Sequence, residues 1–280
     1  MRELRVESLY TRLRESAEAS SSTPLLIFPS ASDADSLCAL KIVTHVLSSD
    51  SLRYSVCPIS SFDEILKFPN IKLQSTNQAL SILLINWGCH RDLRRLLKLG
   101  PNSWVFVIDS HRPIHLHNLS SENDRVIVLY TSEDEQQADL AYDFDVSALA
   151  NASDLNSDDE LDEDSGSDSD EDSESEDEGE NRKRRRLSDE NESDPVRLFG
   201  KLKKEYYKLG TFHGRPSGCL MFELAHSLRK NTNELLWLAC VALTDQFVHE
   251  RLTNERYQAG VMELEQHINS SGIILIPSPQ

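Results

Sequence analysis

The sequence lacks closely spaced cysteines and long apolar runs. Its five cysteines lie far apart within apolar segments, which excludes a CxxC redox motif and favours free thiols in a reducing compartment. The longest apolar runs fall well short of the roughly 20 residues that a transmembrane helix requires. The charged, amphipathic segment 1–18 lacks the apolar core of a signal peptide. These absences predict a soluble intracellular protein that has no membrane partner.

Positive charge is missing from residues 158–180, where 15 of the 23 residues are acidic. This acidic tract accounts for most of the net charge of −18, so the rest of the chain is nearly neutral. The surrounding segment 146–195 has few apolar residues and many like charges, and we therefore expect it to be a disordered insertion. Its serines lie among acidic residues, in the pattern that acidophilic kinases prefer, and phosphorylation would add further negative charge.

The patterns on the two sides of this insertion differ. Residues 1–145 alternate short apolar runs with amphipathic stretches, which is typical of an α/β domain with a doubly wound, mainly parallel sheet flanked by helices. The predicted strands are residues 25–28, 54–57, 80–85, 104–108 and 126–129. Residues 196–270 are mainly helical and are expected to complete the same domain. Residues 271–280 are expected to begin a further region that this sequence lacks.

Polar residues follow three of the predicted strands, at the edge of a doubly wound sheet where ligands bind. A further carboxylate interrupts the most apolar helical segment. These candidate site residues are Asp33, Asp35, Asn86, Asp109, His111 and Asp245. Carboxylates and an imidazole at one sheet edge are the ligands that a two-metal phosphoesterase needs. Alternatively, Asp33 or Asp35 is only a cap of the following helix, although Ser36 is an equally good capping residue.

The segment HRPIHLH suggests a second kind of site. In an extended strand, His111, His115 and His117 would lie on one face, and imidazole nitrogen is a common zinc ligand. No cysteine or fourth ligand lies nearby in the sequence, which counts against this zinc site.

The motifs SDADSLCAL, LINWG, VIDSHRP and LTDQ occur in this order and resemble those of the DHH phosphoesterase superfamily with its RecJ-like nucleases. With the segment FHGRPSGCLMFELA and the acidic insertion, the sequence is more similar still to the cell division control protein 45 family. The resemblance covers nearly the whole chain outside the acidic tract. It implies a DHH-type fold and only the amino-terminal lobe of that family.

The sequence departs from the nuclease pattern at three ligand positions. Ala31 stands where these enzymes have the first of three alternating aspartates, and Asn86 replaces the aspartate of the second motif. Ser110 replaces one histidine of the Asp-His-His signature. The resemblance therefore implies a vestigial site without a metal cofactor, in a protein that is not an enzyme.

Members of the resembled family are scaffold subunits of the replicative helicase, together with the MCM ATPase ring and the GINS complex, and they contact single-stranded DNA. The resemblance thus implies a factor for DNA replication initiation and elongation in the nucleus. A basic run directly after the acidic tract predicts a nuclear localisation signal that binds importin, unless it folds back onto the acidic residues. This run is Arg182, Lys183, Arg184, Arg185 and Arg186.

Two other functions remain open from the sequence. One is an active manganese-dependent phosphoesterase for single-stranded DNA that uses the candidate carboxylates and His111, although the residues at positions 31 and 86 count against it. The other is a nuclear acidic chaperone whose working part is the acidic tract, with the folded domain as its carrier.

Overall fold

Six strands form the central sheet of the computed structural model, which describes residues 1–20, 23–67, 79–97, 102–153, 195–208 and 210–270. The strands are β1 (Arg2–Glu3), β2 (Leu25–Pro29), β3 (Tyr54–Val56), β4 (Leu80–Ile85), β5 (Ser103–Ile108) and β7 (Val126–Leu129). Their order across the sheet is β1-β7-β5-β4-β2-β3, and every neighbouring pair is parallel. The five strands expected from the sequence are confirmed, with ends that differ by at most one residue.

The central strands are buried on both faces because helices cover both sides of the sheet. Side chains alternate along a strand, so Ile27 and Leu83 pack into one apolar cluster whereas Phe28 and Leu84 pack into the other. This explains why the strands are nearly continuous apolar runs rather than alternating ones. The predicted α/β class, with a parallel sheet between layers of helices, is confirmed.

The helices before the insertion are α1 (Val6–Ala19), α2 (Ala34–Ser49), α3 (Phe62–Lys67), α4 (Leu93–Leu97), α5 (Leu116–Leu119), α6 (Ser132–Ala141) and α7 (Val146–Ser153). Those after it are α8 (Pro195–Lys208), α9 (Ser217–Ser227), α10 (Asn233–Val248) and α11 (Asn254–Ser270). Helices α1, α2, α9, α10 and α11 contribute to the first cluster, and helices α3 to α8 to the second. None of the helices in the described ranges is long and apolar enough to span a membrane.

The two parts of the chain are joined at several places into one domain. Strands β6 (His111–Arg112) and β8 (Phe212–His213) form an antiparallel pair beside the main sheet. Helices α7 and α8, which lie on either side of residues 154–194 in the sequence, pack against each other. The hydroxyl of Tyr142 donates a hydrogen bond to the carbonyl oxygen of Tyr206 (2.9 Å). The site at the sheet edge is therefore built from both parts.

Two boundaries differ from the predictions. Residues 146–153 fall in the segment predicted to be disordered, yet they form α7 because Val146, Leu149 and Ala150 are buried in the second cluster. The first helix begins only at Val6, because the residues before it pair with β7. The rest of the predicted insertion, with its acidic tract and basic run, lies outside the described residues, as does the segment 271–280.

Candidate functional site

Three neighbouring strands carry polar residues at their carboxyl ends. Strands β2, β4 and β5 are adjacent in the sheet, and the residues that follow them include Asp33 and Asp35, Asn86, and Asp109. All four side chains are buried. Helix α2 begins at Ala34, which places Asp33 at the N-cap position and Asp35 in the first helical turn rather than in extended chain. The strand order thus gathers these carboxylates at one edge of the sheet.

Asn86 lies at the centre of this cluster. Its amide nitrogen donates hydrogen bonds to Asp33 and to Oδ2 of Asp35 (3.0 Å). Its amide oxygen accepts from the backbone N–H of Ser110 (3.2 Å) and from the hydroxyl of Ser217 (2.6 Å). The backbone φ of Asn86 is +55°, a left-handed conformation that asparagine adopts more readily than most residues. One neutral side chain therefore links two carboxylates that would otherwise repel each other.

Asp35 is fully buried and accepts hydrogen bonds from the part of the chain after the insertion. The backbone N–H groups of Ser217 (2.9 Å) and Gly218 (2.8 Å), at the start of α9, donate to its carboxylate, as does the side-chain amide of Gln246 on α10 (3.2 Å). Burial raises the pKa of Asp35 to about 6, although the hydrogen bonds act to lower it. A Cβ at Gly218 would lie 2.5 Å from the Cβ of Ala242 on α10, so only glycine at this position allows α9 to pack so closely against α10.

Arg251 supplies positive charge to the cluster. Its Nη1 lies 3.3 Å from Oδ1 of Asp33 and 3.6 Å from Oδ2 of Asp245. Asp33 makes no capping hydrogen bond to α2, because its carboxylate interacts with Asn86 and Arg251 instead. Asp245 also lies 3.3 Å from Nδ1 of His249. A guanidinium thus sits between two carboxylates that come from distant parts of the chain.

Asp109 and His111 form a closely paired unit beside Asn86. Oδ1 of Asp109 accepts from the backbone N–H (2.9 Å) and ring Nδ1 (2.7 Å) of His111, and Oδ2 accepts from the N–H of Cys89 (3.1 Å). Burial opposes ionisation of Asp109, but the hydrogen bonds from His111 and the positive charges of His111 and Arg112 together outweigh it, so the pKa of Asp109 is lowered. The hydrogen bond between the two side chains raises the pKa of His111. The His111 ring packs against that of His213, with 4.9 Å between centroids.

Arg112 connects this unit to α6. Its Nε and Nη2 donate to Oδ1 of Asp134 (3.0 and 2.7 Å), and its Nη1 donates to the carbonyl oxygens of Asp109 (2.7 Å) and His111 (2.9 Å). Arg112 and Asp134 are each only 5 % exposed. Asp134 also accepts from the backbone N–H of Thr131 (2.8 Å) in a capping box at the start of α6. A buried, fully paired cation therefore holds the loop that carries Asp109.

Two interpretations of single residues from the sequence are wrong. Ser36 does not cap α2, because it lies inside the helix and its hydroxyl donates to the carbonyl oxygen of Ile85 (3.1 Å). The three histidines do not line one strand: His111 belongs to β6, whereas His115 precedes α5 and His117 lies within it. The chain turns between them, so His111 contacts Asp109 and not the other two.

Four residues that contact the carboxylates of Asp33 and Asp35 are not among the candidates from the sequence. They are Ser217, Gly218, Gln246 and Arg251. The first two lie in the segment FHGRPSGCLMFELA, and Gln246 adjoins Asp245 in LTDQ, so these motifs already contained a signal for them. Arg251 lies outside every recognised motif, and its role follows only from its position in the fold.

The side chains at this edge do not fit a two-metal centre. Such a centre needs carboxylate oxygens that are free to ligate cations and to balance their charge. Here Asn86 donates to both Asp33 and Asp35, and Arg251 already provides a positive charge to Asp33 and Asp245. A divalent cation would have to displace the guanidinium and break the amide hydrogen bonds.

Comparison with known proteins shows which family this chain is similar to. Residues 25–274 match the family model of CDC45. The chain is 33% identical over 259 residues to the human cell division control protein 45 homolog, a match that covers 91% of this chain and 43% of that protein. It is 28% identical over 288 residues to the homolog from Schizosaccharomyces pombe, covering 97% and 44%.

A solved structure agrees at the level of the fold. The crystal structure of CDC45 from Entamoeba histolytica superposes with a TM-score of 0.60 at 16% sequence identity, over 96% of this chain and 39% of that chain. The chain spans less than half the length of these relatives. Because the family model covers most of its residues and the human relative is one third identical over nine-tenths of it, the chain belongs to the CDC45 family.

Proposed function

We propose that this chain is part of a non-catalytic DNA replication factor, which serves as a scaffold in the replicative helicase. The relatives are named as cell division control proteins, which supports a role in the division cycle. One observation carries the non-catalytic part of the proposal. It is the guanidinium of Arg251 between Asp33 and Asp245, two positions at which the resemblance to nucleases implies metal ligands.

Arg251 can balance charge but cannot replace a metal in hydrolysis. Two-metal hydrolysis requires cations that contact both the attacking and the leaving oxygen, and one of them lowers the pKa of the attacking water. A guanidinium has no open coordination position and binds no hydroxide. Ala31 and Ser110 supply no ligand either, since neither offers a carboxylate or an imidazole. The carboxylates then serve to join the strand ends to α9 and α10.

The alternative of an active manganese-dependent phosphoesterase has one observation in its favour. Asp33 and Asp35 lie beside each other, with Asp245 facing Asp33 across Arg251 and the Asp109–His111 pair facing Asn86. Oδ2 of Asp245 is buried without a hydrogen-bond partner among the described residues, and its ion pair with Arg251 is long, at 3.6 Å.

A nuclease assay separates these two functions. The purified chain, incubated with labelled single-stranded DNA and Mn²⁺, is expected to leave the DNA intact, because the metal ligands at positions 31 and 86 are missing. The variant Asp33→Ala should give the same result, and an active DHH-type nuclease serves as the positive control. Cleavage by the native chain and none by Asp33→Ala would establish the phosphoesterase and refute the scaffold function.

The proposed partners are the MCM ring, the GINS complex and single-stranded DNA, which the family resemblance implies. The immobilised chain is expected to capture MCM and GINS subunits from a replicating nuclear extract. A variant without residues 158–180 should capture them equally well, because a scaffold acts through its folded surface. Loss of capture with that deletion would favour the acidic chaperone, and absence of both complexes from the native chain's eluate would contradict the scaffold.

We also propose that the chain enters the nucleus through the basic run 182–186, which lies outside the described residues. Five consecutive cations are a ligand for importin. Replacing Arg184, Arg185 and Arg186 by alanine should shift a fluorescent fusion toward the cytoplasm. Unchanged nuclear accumulation would show that the chain enters with a partner instead.

A further inference from the structure

A second group of potential ligands lies away from the carboxylate cluster. Asp92 directly precedes α4, whereas His115 and His117 lie at the start of α5. One ligand atom from each residue lies within 4.8 Å of the others, and all three side chains are partly exposed. These residues come from two different connections of the sheet, the one after β4 and the one after β5.

We propose that Asp92, His115 and His117 form a zinc-binding site. Two imidazoles and a carboxylate are the ligand types of a three-residue zinc site that is completed by water. Hard cations such as Mg²⁺ prefer oxygen ligands only, so the two imidazoles favour zinc over magnesium or calcium.

His115 provides the first independent support. Its Nδ1 is buried and has no hydrogen-bond partner among the described residues, although a buried polar atom is normally paired. An imidazole nitrogen without a hydrogen-bond partner is available to ligate a metal ion.

Asp92 and His117 are already oriented toward each other. Nδ1 of His117 lies 2.8 Å from Oδ2 of Asp92, while Oδ1 of Asp92 accepts from the backbone N–H of Arg95 (3.1 Å). The carboxylate gives the ligand set a negative charge, which attracts a divalent cation.

The backbone that carries these residues is fixed by buried hydrogen bonds. The N–H of His115 donates to the carbonyl oxygen of Cys89 (2.8 Å). The side chain of Asn118, which is fully buried, accepts from the N–H of Leu93 (3.2 Å) and donates to the carbonyl oxygen of Cys89 (3.2 Å). Two ligands of a tetrahedral zinc ion lie about 3.4 Å apart. Zinc would therefore separate Nδ1 of His117 from Oδ2 of Asp92, which lie 2.8 Å apart, and hold His115, whose ligand atom lies within 4.8 Å of theirs.

Zinc at this place would join the two connections that lead to Asn86 and Asp109. The connection after β4 carries Asn86 and Cys89, and the connection after β5 carries Asp109 and His111. A metal that bound both would stabilise the folded state in proportion to its concentration, since the unfolded chain does not bring the ligands together.

The test uses the full chain without a polyhistidine tag. After chelation and dialysis at pH 7.5 against Zn²⁺ with a weak competing chelator, metal analysis is expected to find one zinc ion per chain. His115→Ala and His117→Ala should bind at least about tenfold more weakly, while the exposed His45→Ala control and a chain without residues 158–180 should retain the ion. Equal zinc content in His117→Ala and His45→Ala, or none in the native chain, would overturn the site.

A second measurement does not depend on whether a variant folds. Zinc is expected to slow the modification of His115 and His117 by diethyl pyrocarbonate in the native chain, as mapped by mass spectrometry. His45 and His249, which are exposed elsewhere, should react at the same rate with and without zinc. Protection of neither His115 nor His117, or equal protection of all four, would refute the site.

Discussion

Replacing Asn86 with aspartate is expected to lower the free energy of unfolding by about 3–5 kcal/mol at neutral pH. The substitution is nearly isosteric, but it removes the N–H donors to Asp33 and Asp35 and adds a third buried anion beside them. Arg251 contacts Asp33 but not Asn86, so it cannot compensate for the new charge. Chemical denaturation of the native and variant chains at the same ionic strength would measure the loss.

The matched variant Asn86→Gly and the pH dependence of stability show whether the added charge causes the loss. Glycine adopts the left-handed backbone of position 86 and removes the same hydrogen bonds without adding charge, so its loss should be smaller. The pKa of Asp35 is already raised by burial to about 6, and an added anion would raise it more. A raised acid pKa destabilises the fold as pH rises through it, so the aspartate variant should lose less stability at pH 5 than at pH 8.

Manganese adds a further comparison for the same variants. If the carboxylate cluster is the remainder of a metal site, Mn²⁺ should recover part of the stability of Asn86→Asp and little of that of Asn86→Gly. Equal stability of Asn86→Asp and the native chain would contradict the description of the carboxylates as shielded from solvent and paired with Asn86 and Arg251. It would instead indicate that water or ions already reach these carboxylates.

Removal of the guanidinium of Arg112 is expected to be similarly costly. Arg112→Met retains much of the side-chain length but leaves the buried Asp134 without its cation and two carbonyl oxygens without a donor. Breaking one side of a buried ion pair typically destabilises a protein by about 3–5 kcal/mol. Thermal and denaturant unfolding of the purified variant would measure the change.

Two comparisons show whether the burial of the Arg112–Asp134 ion pair accounts for the loss of stability in Arg112→Met. Arg14→Met removes an arginine whose ion pair with Glu18 is largely exposed, and this change should alter stability by less than about 1 kcal/mol. Adding Asp134→Ala to Arg112→Met should recover part of the loss, because the unpaired carboxylate is then gone. A double variant that is less stable than Arg112→Met by the full effect of Asp134→Ala alone would show that the two side chains are not coupled.

The sheet and the place of the site follow from local sequence patterns. Apolar runs such as Leu80–Ile85 are long enough to be recognised as strands, and a parallel sheet brings the residues after them to one edge. This reasoning identifies Asp33, Asp35, Asn86 and Asp109 without knowledge of any contact. The same reasoning does not predict strand β1, because a strand of two residues has no periodic pattern.

The partners of the carboxylates depend on contacts between distant residues. Ser217 and Gly218 donate to Asp35 across more than 180 residues of sequence, and no local pattern reports such a pairing. Arg251 lies just beyond α10 in a charged, exposed-looking segment, so its sequence context suggests an ordinary surface arginine. Helix α7 is only 8 residues long, too short to be stable alone, and it is the packing against the second cluster that makes it helical.

The contact between α7 and α8 has a consequence for how this polypeptide can be handled. Helix α7 ends at Ser153, helix α8 begins at Pro195, and the two helices pack against each other. Residues 1–153 and 195–280, produced as two polypeptides, would still share the β6–β8 pair and the hydrogen bonds to Asp35. We therefore expect the two pieces, produced separately, to reassemble into the domain by complementation.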